Sequence, residues 1–113
     1  MSKKIERTNA IIQEELGKII HRELEFPIGS LVTITRVDTS EDLGDSRIYI
    51  SVIPNEGQKR VLEILRKVIY FLQKTLDKKL RMRPIPRIRF VAEKQTTEAA
   101  RVEELLNKIK SEE

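Results

Sequence analysis

Apolar residues recur along this chain in two rhythms, one near every third or fourth position and one near every second. Over the first 24 residues, Ile5, Ile12, Leu16, Ile19 and Ile20 fall within about 100° of arc at 3.6 residues per turn. That stripe predicts a helix covering a core with one side. Ser2 is the expected N-cap, and Pro27 followed by Gly29 marks the stop. The rhythm then shortens. Residues 31–37 and 47–52 are β-branched and nearly alternating, which predicts two strands. The stretch 38–46 between them is rich in turn formers, with Gly44 free to adopt a positive φ, so the pair reads as an antiparallel hairpin. Ile48, Ile50 and Val52 point one way, and Arg47, Tyr49 and Ser51 the other. Val32 and Ile34 share a face while Val37 is out of phase, which predicts a bulge near Arg36.

Helical spacing returns over 56–80. Leu62, Leu65, Ile69, Leu72, Leu76 and Leu80 lie within about 80° of one another, and Val61, Ile64, Val68 and Phe71 widen the apolar side into a stretch expected to be deeply buried. Opposite them, Arg60, Lys67, Lys74 and Lys78 fall within about 40° of arc. Pro84 and Pro86 end the helix and force an extended turn, after which Ile88 and Phe90 alternate with Arg87 and Arg89 as a third strand. Beyond a Thr96 and Thr97 cap, Ala99, Val102, Leu106 and Ile109 repeat at helical spacing, predicting a short helix packed on the core and frayed over 111–113. The whole reads as a single domain over 1–110 of the α+β class, a three-stranded sheet with helices on one face plus a C-terminal helix.

Composition narrows the chemistry. The chain has 113 residues, one domain of ordinary size. It has no cysteine and a single histidine, His21, so disulfides, thiolate zinc and multi-His metal sites are excluded. His21 sits on the flank of the first apolar stripe and reads as a hydrogen-bonded boundary residue. Asp38, Glu41, Asp42 and Asp45 match no calcium loop, and are expected to serve the turn. The four glycines are scattered, and no Ser-His-Asp or Cys-His set can be built. Neither an enzyme nor a cofactor is expected. The start lacks the apolar run of a signal peptide and no stretch approaches a membrane span, so a soluble cytoplasmic protein with no membrane partner is the expectation.

Charge changes the picture most. The chain carries a formal net charge of +4, yet residues 56–90 alone hold eleven Lys or Arg against three acids. Residues 1–30 balance, while 31–55 and 91–113 are each acidic by two. Lys78, Lys79, Arg81, Arg83, Arg87 and Arg89 crowd a helix end, a rigid turn and a strand start with no acid among them. Mutual repulsion of that kind is tolerated where solvent or an anionic partner screens it, and nucleic acid is the first partner to consider.

The segment from Val32 through Leu43, with Thr35-Arg36-Val37-Asp38-Thr39-Ser40 at its centre, followed by Ser46-Arg47-Ile48-Tyr49-Ile50-Ser51-Val52, then Leu80-Arg81-Met82-Arg83 with Pro86 and Phe90, resembles the bacterial ribosome-binding factor A family over nearly the whole chain. The resemblance implies a type II K-homology-like fold, ordered α-β-β-α-α-β. It also implies association with free small ribosomal subunits during late maturation, with support for processing the 5′ end of the small-subunit rRNA and, in some lineages, cold adaptation. Members lack the GxxG loop of ordinary K-homology domains, and so does this chain. In the family the two central helices usually meet at an Ala-x-Gly kink; here Val68, Ile69 and Tyr70 occupy those positions, and Gln73 stands where an arginine usually follows. The leucine line keeps its phase through this stretch, so the sequence allows either a bend or an unbroken helix.

On this reading Lys74, Lys78, Lys79, Arg81, Arg83, Arg87 and Arg89 are expected to contact rRNA phosphates, with Arg36, Arg47 and Tyr49 extending the surface across the exposed sheet face. Tyr49 is the candidate for stacking on an unpaired base. The expected partners are small-subunit rRNA and the free subunit, bound by a monomer. The alternative is a protein-interaction module whose basic surface docks on an acidic partner.

Overall fold

The computed structural model describes residues 3–93. Within them the chain forms α1 (Lys3–Glu23), β1 (Leu31–Thr39), β2 (Asp45–Ile53), a short 3-10 turn (Asn55–Gly57), α2 (Gln58–Lys67), α3 (Ile69–Lys79) and β3 (Arg87–Ala92). The class is α+β and the order α-β-β-α-α-β is the expected one. The expected Ser2 cap and C-terminal helix lie outside the described residues.

The sheet runs β1-β2-β3, with β1 antiparallel to β2 and β2 parallel to β3. A parallel neighbour requires a crossover, and α2 with α3 supplies it. Ile34 pairs with Ile50 and Arg36 with Tyr49, so Thr35 is the extra residue of a bulge. The bulge turns Val37 back to the core side, opposite Ile48.

The described helices all pack on one face of the sheet. Ile12, Leu16 and Ile19 of α1, Val61 and Leu65 of α2, and Leu72 and Leu76 of α3 meet Ile48, Ile50, Val52, Ile88 and Phe90 in a single core. Beneath the start of β2 lies a small polar cluster. Thr39 Oγ1 donates to Asn9 Oδ1 at 2.5 Å, and its oxygen stands 2.7 Å from the fully buried Ser46 hydroxyl.

Two local details differ from the pattern read in sequence. Gly44 does not take the positive φ; Leu43 does, at 59°, with its side chain buried. Glycine at 44 answers to space instead, because a Cβ there would meet Asp42 Oδ1 at 3.1 Å. That carboxylate accepts the Gly44 N–H at 2.9 Å and the Ser40 hydroxyl at 2.6 Å, confirming a turn role for the acid. Phe71 is 49% exposed rather than deeply buried, since it points away from Leu72 and Leu76. His21 is exposed near the end of α1.

The central helical stretch is broken. Val68 takes φ −109° and ψ 19°, ending α2 and starting α3 without any glycine. The projection that aligned Arg60 and Lys67 with Lys74 and Lys78 is therefore interrupted between the two pairs.

Candidate nucleic-acid interface

The face of the sheet turned away from the helices carries the side chains that alternate with the core. The strand register sets them in rows: Asp45 beside Arg87; then Asp38, Arg47 and Arg89; then Arg36, Tyr49 and Val91. Arg47 and Arg89 are thus direct neighbours on parallel strands, both exposed. Like charges set side by side repel, and the arrangement persists most easily against water or an anion. Asp38 and Asp45 flank the pair in a cleft of about 340 Å³.

Arg36 stands in the next row and is already engaged. Its Nε donates to Glu93 Oε2 at 3.1 Å, and its guanidinium lies 3.8 Å above the Tyr49 ring centre. Hydrogen bonding to Glu93 raises the Arg36 pKa above its ordinary value, helped by the carboxylate's charge. One face of the Tyr49 ring is therefore covered, leaving at most the other for a base. Thr35 Oγ1 adds a 2.6 Å hydrogen bond to the same carboxylate.

The remaining expected cations divide into four places. Arg83, Arg87 and Arg89 line a groove of about 970 Å³ between α3 and the proline turn, shared with Asp45, Tyr70 and Asp77. Lys74 and Lys78 are exposed on the side of α3 opposite Leu72 and Leu76. Lys79 turns to the other flank of that helix, 4.0 Å from Glu15 of α1. Arg81 is exposed in the segment that leaves α3. Among the described residues, Arg47, Arg81, Arg83, Arg87, Arg89, Lys74 and Lys78 enter no ion pair. The cations expected to share one surface thus occupy an open sheet face, an edge groove, two sides of α3 and the segment that follows it.

In sequence Gln73 reads as a missing basic contact, and the structure gives it another task. Its Oε1 accepts the Ile88 main-chain N–H at 2.8 Å, and its Nε2 donates to the Pro86 carbonyl at 3.1 Å and to Asp77 Oδ1 at 3.0 Å. Arg66 Nη2 donates to the Phe90 carbonyl at 3.2 Å. Two side chains thereby occupy part of the free edge of β3. A strand edge that reads a ligand through its main chain needs those groups vacant.

The described residues contain no cluster of His, Asp or Glu able to hold a metal ion, and no helix among them is long and apolar enough to cross a membrane.

The family model described as ribosome-binding factor A matches residues 4–106. The chain belongs to the ribosome-binding factor A family. Curated relatives include ribosome-binding factor A of Chlorobaculum tepidum, 37% identical with 97% of this chain and 93% of that protein covered. Another, from Thermodesulfovibrio yellowstonii, is 31% identical, covering 96% and 92%. Among solved structures, the crystal structure of ribosome-binding factor A from Thermus thermophilus aligns with TM-score 0.68 at 23% identity, over 78% of this chain and 94% of that one. A Thermus thermophilus homology model fitted into the cryo-EM map of a 30S complex aligns with TM-score 0.62 at 28% identity, over 74% and 88%. Within the family frame, this chain makes its central break at Val68 and replaces the usual arginine with the Gln73 clamp.

Proposed function

We propose that this ribosome-binding factor A homologue binds the free small ribosomal subunit as a cytoplasmic monomer and assists its late maturation without catalysis, including processing of the 5′ end of the small-subunit rRNA. The family relationship supports the partner: its Thermus thermophilus relative is the protein fitted in a 30S complex. The single observation that carries the mode of binding is the Arg47–Arg89 neighbourhood on the exposed sheet, without an ion pair among the described residues. Arg87 and Arg83 continue it into the edge groove, and the Lys74, Lys78, Lys79 and Arg81 cations reinforce the field around it. Guanidinium forks suit phosphate oxygens, giving affinity and register with little sequence information. Specificity then comes from the shape of the subunit. A generic K-homology reader is disfavoured by the absent GxxG loop and by the Gln73 and Arg66 contacts along the β3 edge.

The test is co-sedimentation with purified subunits in sucrose gradients across a salt series. The chain should travel with free small subunits, and its affinity for naked rRNA should fall steeply with salt, by roughly 0.7 to 0.9 in log–log slope for each phosphate contacted. Sedimentation with large subunits, or with neither, refutes the assignment. Retained subunit binding with flat salt dependence would instead favour docking on a protein.

A further inference from the structure

β1 forms a free edge of the sheet, and its two halves differ. From the bulge onward the strand carries Arg36 and Asp38, and Gln13 Nε2 donates to the Ile34 carbonyl at 3.1 Å. Bulges, charges and covering side chains are the means by which an exposed edge is blunted. Ahead of the bulge, Leu31-Val32-Thr33-Ile34 has no charge and no proline. Strand register tells which main-chain groups face outward there. Ile50 points its carbonyl at β3, where it accepts the Glu93 N–H at 2.9 Å, so its partner Ile34 turns its main-chain groups away from β2. Val32, opposite Val52 and two residues earlier, does the same. The Val32 N–H and carbonyl therefore stand on an open edge, whereas on β3 Gln73 and Arg66 occupy part of theirs.

Beside that edge, a cavity of about 480 Å³ lies between β1 and the second half of α1. Ile20, Leu24, Phe26, Val32 and Ile34 make its lining largely apolar, and Gly17 forms part of the helix wall. Nothing inside the protein requires that glycine: a Cβ there would meet no atom within 4 Å, and glycine is less favourable than alanine inside a helix. What it leaves is room in the cavity. On the other face of the sheet Leu31 is 59% exposed, its cross-strand neighbour Ile53 53%, and Ile28 stands fully in solvent. A strand added here would thus cover apolar surface on both of its faces. No lysine or arginine lines the cavity. Lys18 is held by Glu14 and Glu15 and Arg22 by Glu23, while Glu25 enters no ion pair among the described residues. A polyanion finds no free cation at this end.

We propose that the first half of β1 and the cavity beside it form a peptide-docking site. An extended segment of a small-subunit protein adds there as a further strand, with alternate apolar side chains in the cavity and cations between them toward Glu14 and Glu25. The proposal rests on the subunit-binding reading above and deepens it with a protein contact. Val32 lies about 20 Å along β1 from Asp38, the neighbour of Arg47, so the two surfaces are separate. Main-chain hydrogen bonds at the edge supply affinity, and the cavity selects side chains at alternate positions. A second copy pairing β1 with β1 would bring its own Glu14 and Glu25 to the same edge. The described chain ends at Glu93 beside Ile50, with β2 and β1 between it and this edge.

A fluorescein-labelled decapeptide alternating valine with lysine, titrated against the full chain, tests it. Anisotropy should report one peptide per chain, and a valine–glutamate decapeptide should bind roughly ten-fold more weakly or worse. Gly17→Leu fills the cavity and should weaken binding by about ten-fold or more without lowering the melting temperature, since leucine suits a helix better than glycine. Deuterium exchange at the Val32 N–H should slow when the peptide is bound. R47E/R89E should leave peptide binding unchanged, and Gly17→Leu should leave rRNA affinity unchanged, so this proposal and the RNA-binding reading fail separately. With p-benzoylphenylalanine replacing Leu31, irradiation on purified free small subunits should attach the chain to protein. No peptide binding, peptide binding that survives Gly17→Leu, or attachment to rRNA overturns the proposal. Self-association of the chain that Gly17→Leu abolishes overturns it in favour of a second copy. Exchange at Val32 already slow without peptide overturns it in favour of residues 94–113 of the same chain.

Discussion

Gln73 and Ile88 are joined by a 2.8 Å hydrogen bond in which a helix side chain accepts the main-chain N–H of an edge strand. The same amide donates to the Pro86 carbonyl, so one planar group bridges α3 to both sides of Arg87. An amide suits the site because it offers an acceptor and a donor together, which a guanidinium does not. Replacing Gln73 with arginine, the usual family residue, removes the acceptor and leaves a partly enclosed N–H unpaired. Q73R should lose about 1 to 3 kcal/mol in urea unfolding. Unchanged stability would mean that the clamp is incidental.

Arg36 and Arg47 should behave differently although both lie on the exposed sheet. Arg36 is bound to Glu93 and stacked on Tyr49, whereas Arg47, although beside Asp38 in the register, enters no ion pair among the described residues. Arg47→Ala should lower the salt slope of rRNA binding by about 1, and Arg36→Ala by clearly less. Glu93→Ala should then raise the contribution of Arg36. Equal slopes for the two arginine variants would disprove this ranking.

Beneath Arg47, the Thr39 and Ser46 hydroxyls form a buried pair at 2.7 Å, with Thr39 donating onward to Asn9. Thr39→Val keeps the shape but strips both neighbours of a partner, and should cost about 1 to 3 kcal/mol. Ser46→Ala removes only the end of the chain and should cost about 1 kcal/mol. Thermal melts measure both, and a larger loss for Ser46→Ala would reverse the inferred direction of the hydrogen bonds.

The hairpin turn should show its own acid dependence. Hydrogen bonds from the Ser40 hydroxyl and the Gly44 N–H lower the Asp42 pKa. A depressed folded-state pKa means that ionised Asp42 favours the fold; its contribution is complete above the unfolded carboxylate range of about 4 and disappears as pH falls through the lower folded value. The stability difference between the parent chain and Asp42→Asn should therefore shrink as pH is lowered below about 4. A difference that stays constant with pH would show that the carboxylate's charge is not involved.

Much of the architecture was legible because the periodicities of helix and strand are written in which residues must leave water. Ile12, Leu16 and Ile19 marked α1; Ile48, Ile50 and Val52 fixed the inner face of β2; the phase slip at Val37 betrayed the bulge. The six basic residues around Pro84 and Pro86 also declared themselves, since unbalanced charge is a property of sequence. What they did not reveal was direction. Whether Lys74 and Arg89 share a surface depends on which side of the sheet α3 packs, and the break at Val68 decides how α3 continues from α2. The role of Gln73 was equally hidden, because it depends on a strand fifteen residues away in sequence.

By itself the sequence determined the first helix, the three strands with their inner faces, the basic charge and the family. The tertiary structure alone decided that Arg47 sits beside Arg89, that Arg36 is taken by Glu93, and that Tyr70 and Phe71 face water. The reason is physical: hydrophobic pattern is local and repeats along the chain, whereas a surface is assembled from residues that only packing and strand register bring together.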